Sequence, residues 1–321
     1  MKLLNSVVLS IATVAFATSA VAEKWDMPTP YGDGVHHTKN VRQFAQDVNS
    51  ATAGELNIVV HSGASLIKHT EIHRAVRSGQ VQIGELFMGL LGNADPVFKA
   101  DNIPFLASNF HDAAKLWFAT RPGVEAALAK DGLKLLYAIP WPPQGFYTKK
   151  AINSAADLKG LKLRAYSPTT SRLAILLGAT PTTVQTPEIP QAFSTGIIDA
   201  MVTSPSTGVS SQSWDYISNY TDTQAWIPKN MVIVNLDSFN SLSDASQAAV
   251  MSAARSAEAR GWEMAQKETS VKTEMLAEHG ITVAKPSAQL SADLRAIGKI
   301  MGNEWAEEAG SQGAAILSAY Q

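Results

Sequence analysis

The chain has 321 residues, no cysteine, and 26 Lys+Arg against 28 Asp+Glu, a formal net charge of −2. Near neutrality argues against nucleic acid or an anionic membrane surface as partner, and the lack of thiols excludes disulfides and thiolate metal or redox sites. The length suits two domains at roughly 100–200 residues each.

The first residues, MKLLNSVVLSIATVAFATSAVAEKW, hold Lys2, an apolar run from Leu3 to Ala17 that is short for a bilayer span, and Ala20-Val21-Ala22, an A-x-A cleavage signal. They read as a signal peptide over residues 1–22, which exports the chain to the periplasm and leaves Glu23 as the mature start. The competing reading is a membrane anchor or a buried first helix. No later segment is long and apolar enough to cross a membrane.

Lys24 to Met27 is expected as a short strand, ended by Pro28 and Pro30. Val41, Phe44, Ala45 and Val48 recur at helical spacing up to Gly54. Leu56 to His61 is a strand. A helix with Ile72, Ala75 and Val76 stops at Gly79, and Val81 to Phe87 is the next strand. Asp112 is the expected cap of a long helix through Trp117, Val124 and Leu128, ended by Gly132. Leu133 to Ile139 follows as a buried strand. A second set comprises a strand at Leu161 to Ala165, a helix at Thr169 to Leu177, a helix near Ile189 to Ser194, and strands near Ile197 to Val202 and Met231 to Asn235. From Ser243 the chain is helix-forming, with a break at Gly280 to Pro286. Strands alternating with helices predict parallel sheets of βαβ units. AVRSGQVQIGE (Ala75 to Glu85) and AFSTGIIDAMV (Ala192 to Val202) share one plan, helix end, glycine, strand. That fits two similar α/β lobes that each deliver a strand end to a shared cleft.

Enzyme motifs are absent: there is no G-x-S-x-G, no P-loop and no G-x-G-x-x-G. In His69-Thr-Glu71-Ile-His73 the two histidines stand at i and i+4. The glutamate is one position late for H-E-x-x-H and no third ligand is near, so an exposed polar helix face is the expected role and no metal site is assigned. His36-His37 could cap or line a loop. In DLKGLKLRAYSP (Asp157 to Pro168) an arginine closes a strand whose other inward residues are leucines. A buried guanidinium needs an anion: either an internal Asp or Glu, or a ligand carboxylate gripped through two parallel hydrogen bonds. Aromatic residues near expected strand ends, Trp141, Phe146, Tyr147, Tyr166, Trp214 and Trp226, suit a pocket wall or the core.

AINSAADLKGLKLR (Ala151 to Arg164), LGATPTTV (Leu177 to Val184), PEIPQAFSTGIIDA (Pro187 to Ala200), GASLIKHTEIHRAVRSGQVQIG (Gly63 to Gly84) and NIPFLAS (Asn102 to Ser108) together resemble the solute-binding proteins of tripartite ATP-independent periplasmic (TRAP) transporters, of the dicarboxylate-receptor type. The resemblance runs over nearly all of Glu23 to Gln321. It implies an α/β, two-domain clamshell with a long helix along the back, with residues 23–143 plus about 229–270 as domain I and 144–228 plus about 271–321 as domain II. It implies an organic acid as ligand, membrane permease subunits as partner, and neither catalysis nor a cofactor. Arg164 matches the arginine that clamps the ligand carboxylate in the family. Where the sialic-acid-binding branch has a second arginine, this chain offers Gln144. Where that branch has an acidic residue, it has Phe87, and the branch's asparagine falls near Thr203 and Ser204. With Trp141, Phe146, Tyr166 and Trp226 as further wall residues, the expected ligand is a compact monocarboxylate, benzoate-like first, with 2-oxo acids, hydroxy acids or C4-dicarboxylates as alternatives. A binding protein that serves a chemoreceptor would read the same.

Overall fold

Trp25 and Met27 alternate with more polar neighbours, and that period buries both on β1 (Glu23–Pro28). The 3.6-residue period of Val41, Phe44, Ala45 and Val48 buries one face of α1 (His36–Ala51). The computed structural model describes residues 22–320; the expected signal peptide lies outside the described residues save for Ala22. The chain continues through β2 (Leu56–His61), α2 (Ile72–Arg77), β3 (Ile83–Phe87), α3 (Phe110–Lys130) and β4 (Leu133–Pro140). It then crosses into a second lobe of β5 (Gly145–Thr148), β6 (Lys162–Ala165), α4 (Pro168–Leu176), β7 (Thr180–Thr183), α5 (Ile189–Ser194), β8 (Ala200–Thr203), α6 (Pro205–Ser210) and β9 (Asn219–Thr221). It returns on β10 (Lys229–Asn235) and ends with α7 (Leu236–Ser241), α8 (Asp244–Glu278), β11 (Thr282–Ala284) and α9 (Ala288–Tyr320).

The sheets are mixed, not all parallel. β1 and β2 pair in parallel, but β10 runs antiparallel to both β3 and β4 in the order β3-β10-β4. The second lobe's sheet has the order β11-β9-β5-β8-β6-β7, with β5 antiparallel to both its neighbours. The reason is the crossing. Two segments must pass between the lobes in opposite directions, so each sheet receives a strand against the grain of its βαβ units. At α3 the cap is Asn109, whose Oδ1 accepts the Asp112 amide at 2.9 Å. Asp112 therefore sits in the first turn, where a carboxylate favours the helix dipole.

The crossing segments lie side by side. Trp141 N–H donates to Pro228 O at 2.8 Å, Gln144 N–H to Trp226 O at 3.0 Å and Ala225 N–H to Gln144 O at 3.1 Å. α8 has 35 residues, about 50 Å of helix. Val250, Ala253, Ala254 and Ala257 pack in the first lobe's core and Leu276 in the second's, so this helix spans both. α9 spans them too. Leu290 to Met301 pack with the second lobe, but Trp305, Ala309 and Ile316 pack with the first, and Tyr320 O–H donates to Leu106 O at 2.7 Å. The stretch 271–321 thus does not belong to one domain, because the apolar stripe of α9 changes partner part-way along.

The two echoing segments end alike. Gly79 and Gly196 take left-handed backbone (φ 71° and 69°) after α2 and α5, and β3 and β8 follow. Gly145, where the chain enters the second lobe, has no room for a side chain: a Cβ there would lie 2.5 Å from the Tyr220 ring and 2.6 Å from Thr221 O. Gly145→Ala should lower stability by about 1–3 kcal/mol through overpacking. Urea unfolding checks this, and an unchanged midpoint would contradict the packing described.

Candidate functional site

Between the lobes, at the ends of β3, β6 and β8, lies a cavity with about 360 Å³ of atom-free space, its mouth included. First-lobe residues Tyr31, His69, Phe87 and Trp141 face Arg164, Tyr166, Gln185, Thr186, Thr203 and Thr207 of the second, with Gln144 and Pro228 from the crossing segments.

Arg164 stands next to last on β6, held by Leu163 and Ala165 in the core on either side. It is only 2% exposed. Its Nε donates to Val184 O at 2.9 Å, one Nη reaches Thr186 Oγ1 at 3.4 Å, and the guanidinium lies 5.1 Å from the centre of the Tyr166 ring. All of these partners are neutral. Among the described residues no acidic side chain pairs with it, so the internal salt bridge is not formed. Burial pulls the guanidinium down to about 10, still charged at neutral pH. The arrangement is a cation prepared for an anion that the chain does not supply.

The aromatic wall is fixed from behind. Trp141 Nε1 donates to Asn230 Oδ1 at 2.8 Å, and Tyr31 O–H donates to the same oxygen at 3.3 Å. Asn230 Nδ2 donates to Glu85 Oε1 at 3.1 Å, and the Thr29 hydroxyl donates to Glu85 Oε2. His37 Nδ1 lies 3.1 Å from Glu85 Oε1, and His36 donates through Nε2 to Pro140 O at 3.1 Å. Burial raises the Glu85 carboxyl and lowers both imidazoles, His36 to about 3. The His36-His37 pair thus sits behind the cavity against Trp141, His36 edge-on at 5.4 Å and His37 tilted at 4.1 Å. Phe87 meets Tyr166 edge-on at 5.3 Å, and Tyr166 O–H donates to Gln144 Oε1 at 3.0 Å. Gln144 Nε2 in turn donates to Pro142 O at 2.8 Å.

Of the nine residues singled out from sequence, the structure brings Phe87, Trp141, Gln144, Arg164, Tyr166 and Thr203 together around the cavity. Phe146, Ser204 and Trp226 are not among its lining. Phe146 and Trp226 pack in the second lobe's core, because the inward period of β5 and the returning segment points them into the sheet's interior. Ser204 caps α6 by accepting the Thr207 amide at 3.1 Å. Tyr147 and Trp214 also pack into the second lobe, Tyr147 donating to Ser204 O and Trp214 stacking on His279. Sequence reasoning missed Tyr31, Gln185, Thr186, Thr207 and Pro228. Gln185-Thr186 directly follows the quoted LGATPTTV, and Thr207 stands three residues after a serine cap, so both were within reach of the motifs. The His69 and His73 side chains do not share a helical face: His69 precedes α2 and lines the cavity, while His73 pairs with Asp131 at 3.2 Å.

The model of bacterial extracellular solute-binding protein family 7 matches residues 32–308. The chain belongs to that family. Its members are the TRAP solute receptors. DctP7, the pyroglutamic-acid-binding extracytoplasmic solute receptor of Bordetella pertussis, is 50% identical, with 93% of this chain and 99% of that one covered and a TM-score of 0.92. A marine-metagenome TRAP solute-binding protein specific for pyroglutamate is 38% identical, with coverages of 93% and 98% and a TM-score of 0.92. The sialic acid-binding periplasmic protein SiaP of Vibrio cholerae is 23% identical over 250 residues, 76% of this chain and 77% of its own. The two-domain clamshell of TRAP receptors is the fold of this chain, and the family is one of binding receptors for extracellular solutes. No helix among the described residues is long and apolar enough to cross a membrane.

Arg164→Met should leave the ligand-free protein at least as stable as the parent, since a buried cation without a counter-charge is replaced by an apolar chain of similar reach. Thermal unfolding without ligand measures this. A loss of more than about 1 kcal/mol would mean that the guanidinium serves the fold.

Proposed function

We propose that this TRAP receptor captures a compact, cyclic monocarboxylate of the pyroglutamate type in the periplasm and presents it to a membrane permease, the two lobes acting as domains that close over it. The observation that carries this reading is the buried Arg164 guanidinium, open to an interlobe cavity and without an acidic partner among the described residues. One cation matches one carboxylate. A second ligand carboxylate would enter unpaired, at a cost of several kcal/mol, which disfavours C4-dicarboxylates.

The benzoate-like body expected from the aromatic residues has no support among the relatives. The physical reason is the lining. Phe146, Tyr147 and Trp226 are core residues and Trp214 packs, half-buried, against the core, which leaves Tyr31, Phe87, Trp141 and Tyr166 as rings, set among Gln144, Gln185, Thr186, Thr203 and Thr207. A benzoate ring offers that polar lining nothing beyond its carboxylate, and each remaining donor or acceptor that it cuts off from water without a new partner costs roughly 1–3 kcal/mol. A five-membered lactam keeps the small outline and the single carboxylate, and adds an amide edge that can donate and accept. The similar receptors that bind pyroglutamate support the same choice.

The test is direct. Mass spectrometry of small molecules released from denatured, natively expressed protein should find pyroglutamate. L-pyroglutamate at about a hundredfold its dissociation constant should stabilise the protein by about 2.7 kcal/mol by mass action, with benzoate, succinate and glucuronate each stabilising less. Arg164→Ala should cost roughly 2–5 kcal/mol of binding, and Arg164→Lys should also bind poorly because the fork is lost. Stabilisation by benzoate or succinate above that by pyroglutamate would overturn the ligand. Binding by Arg164→Ala within about threefold of the parent would overturn the clamp.

A further inference from the structure

Among the described residues His69 is the one histidine that hydrogen-bonds across the lobes. Its Nε2 accepts the Phe87 backbone N–H at 3.1 Å, at the end of β3. That nitrogen must then carry a lone pair, so the proton is on Nδ1. Nδ1 lies 3.1 Å from Gln185 Oε1, across the cleft on the second lobe, and donates to it. The ring is buried and lines the cavity. Both nitrogens are thus used, one as acceptor and one as donor. An imidazolium carries two N–H groups and would set one of them against the Phe87 N–H.

We propose that His69 is a positioning residue that latches the lobes only as the neutral Nδ1–H tautomer, so that closure over the ligand expels a proton in mild acid and affinity falls as pH falls. The inference rests on the solute-binding reading above. With the lobes apart, Gln185 is withdrawn and the ring can turn both N–H groups to water, where an imidazole has its ordinary value near 6.5. In the closed arrangement burial takes it down to about 4. The charged groups facing it are Glu85 from β3, which favours the cation, and Arg164 from β6, which opposes it. Tyr31 packs edge-on at 5.6 Å from the β1–α1 loop and carries no charge in this range. A bound carboxylate would favour the cation, but it is held by the guanidinium and cannot accept from Nε2, which points at Phe87. Glu85, His36 and His37 lie together behind the wall in one lobe, so parting the lobes does not change their partners.

The sign follows from the direction of the shift. The closed form binds fewer protons, so the latch contributes fully above the ordinary imidazole range and is lost progressively as pH falls from about 6.5 toward 4. One such proton makes binding roughly tenfold or more weaker at pH 5.0 than at pH 7.5. The ligand carboxyl, near 3.3–3.7, and Arg164 stay ionised throughout.

The experiment is calorimetric titration of the full protein with L-pyroglutamate from pH 7.5 to 5.0, for the parent, His69→Gln and His69→Ala. Glutamine can accept from Phe87 and donate to Gln185 without titrating, so its ratio of dissociation constants at pH 5.0 and 7.5 should stay near one whatever its affinity. The parent's ratio should be tenfold or more. At pH 5.5 the parent should release close to one proton per ligand bound, read from the heats in two buffers of different ionisation enthalpy. That measurement needs no variant. A flat parent profile, no proton release, or an equal slope in His69→Gln overturns the latch and leaves the ligand reading intact. No binding of L-pyroglutamate at any pH overturns the ligand reading and the latch with it.

Discussion

A guanidinium buried at a strand end with neutral neighbours governs the arrangement of this receptor. Desolvating Arg164 is costly, and the chain offsets that cost only in part, through Val184 O, Thr186 and the face of Tyr166. An anion inside the cleft would offset the remainder. That gives closure a thermodynamic cause: a ligand shifts the lobes only by as much as it binds the closed form better than the open one, and a carboxylate on a dry guanidinium supplies such a difference. The crossing segments and the long helical runs that span both lobes tie them together beside this cavity.

Delivery of side chains to that cavity depends on a plan used twice. Each lobe ends a short helix in a left-handed glycine, Gly79 or Gly196, and starts a strand whose far end reaches the cleft, Phe87 on β3 and Thr203 on β8. A glycine there tolerates the positive φ that sends the chain from helix back into the sheet. The first lobe contributes a rigid apolar wall, because Trp141 and Tyr31 are tied through Asn230 to Glu85. The second contributes charge and hydroxyls.

Much of this was legible in the sequence. Period and glycine positions located most helices and strands, and the resemblance carried by DLKGLKLR pointed to Arg164. Of the six strands of three or four residues, β5, β7, β9 and β11 were not located, since so few residues let no period show. The antiparallel strands follow from the double crossing, which is a property of the whole chain and leaves no local mark. The aromatic residues misled for a related reason. Phe146 and Trp226 stand close to site residues in sequence, yet the two-residue period of an extended chain sends neighbours to opposite sides, and only the strand partners decide which side is the cleft. Tyr31 and Gln185 reach the site from loops, where no periodicity operates.

A second buried cation among the described residues contrasts with Arg164. Lys229 opens β10 at the crossing and is as buried as Arg164. It lies 3.6 Å from the Asp101 carboxylate and within 6.0 Å of the Trp117 and Trp262 rings. Burial raises Asp101 to about 6 and lowers Lys229, and each opposes the shift in the other. The cost of burying that charge is answered within the chain, by groups from α3, α8 and the segment before α3, so the pair belongs to the crossing between the lobes. Around Arg164 the same demand is met by carbonyl, hydroxyl and ring, and the counter-charge is left to come from solution. Burial alone does not distinguish the two cations; an acidic partner among the described residues, present for Lys229 and absent for Arg164, does.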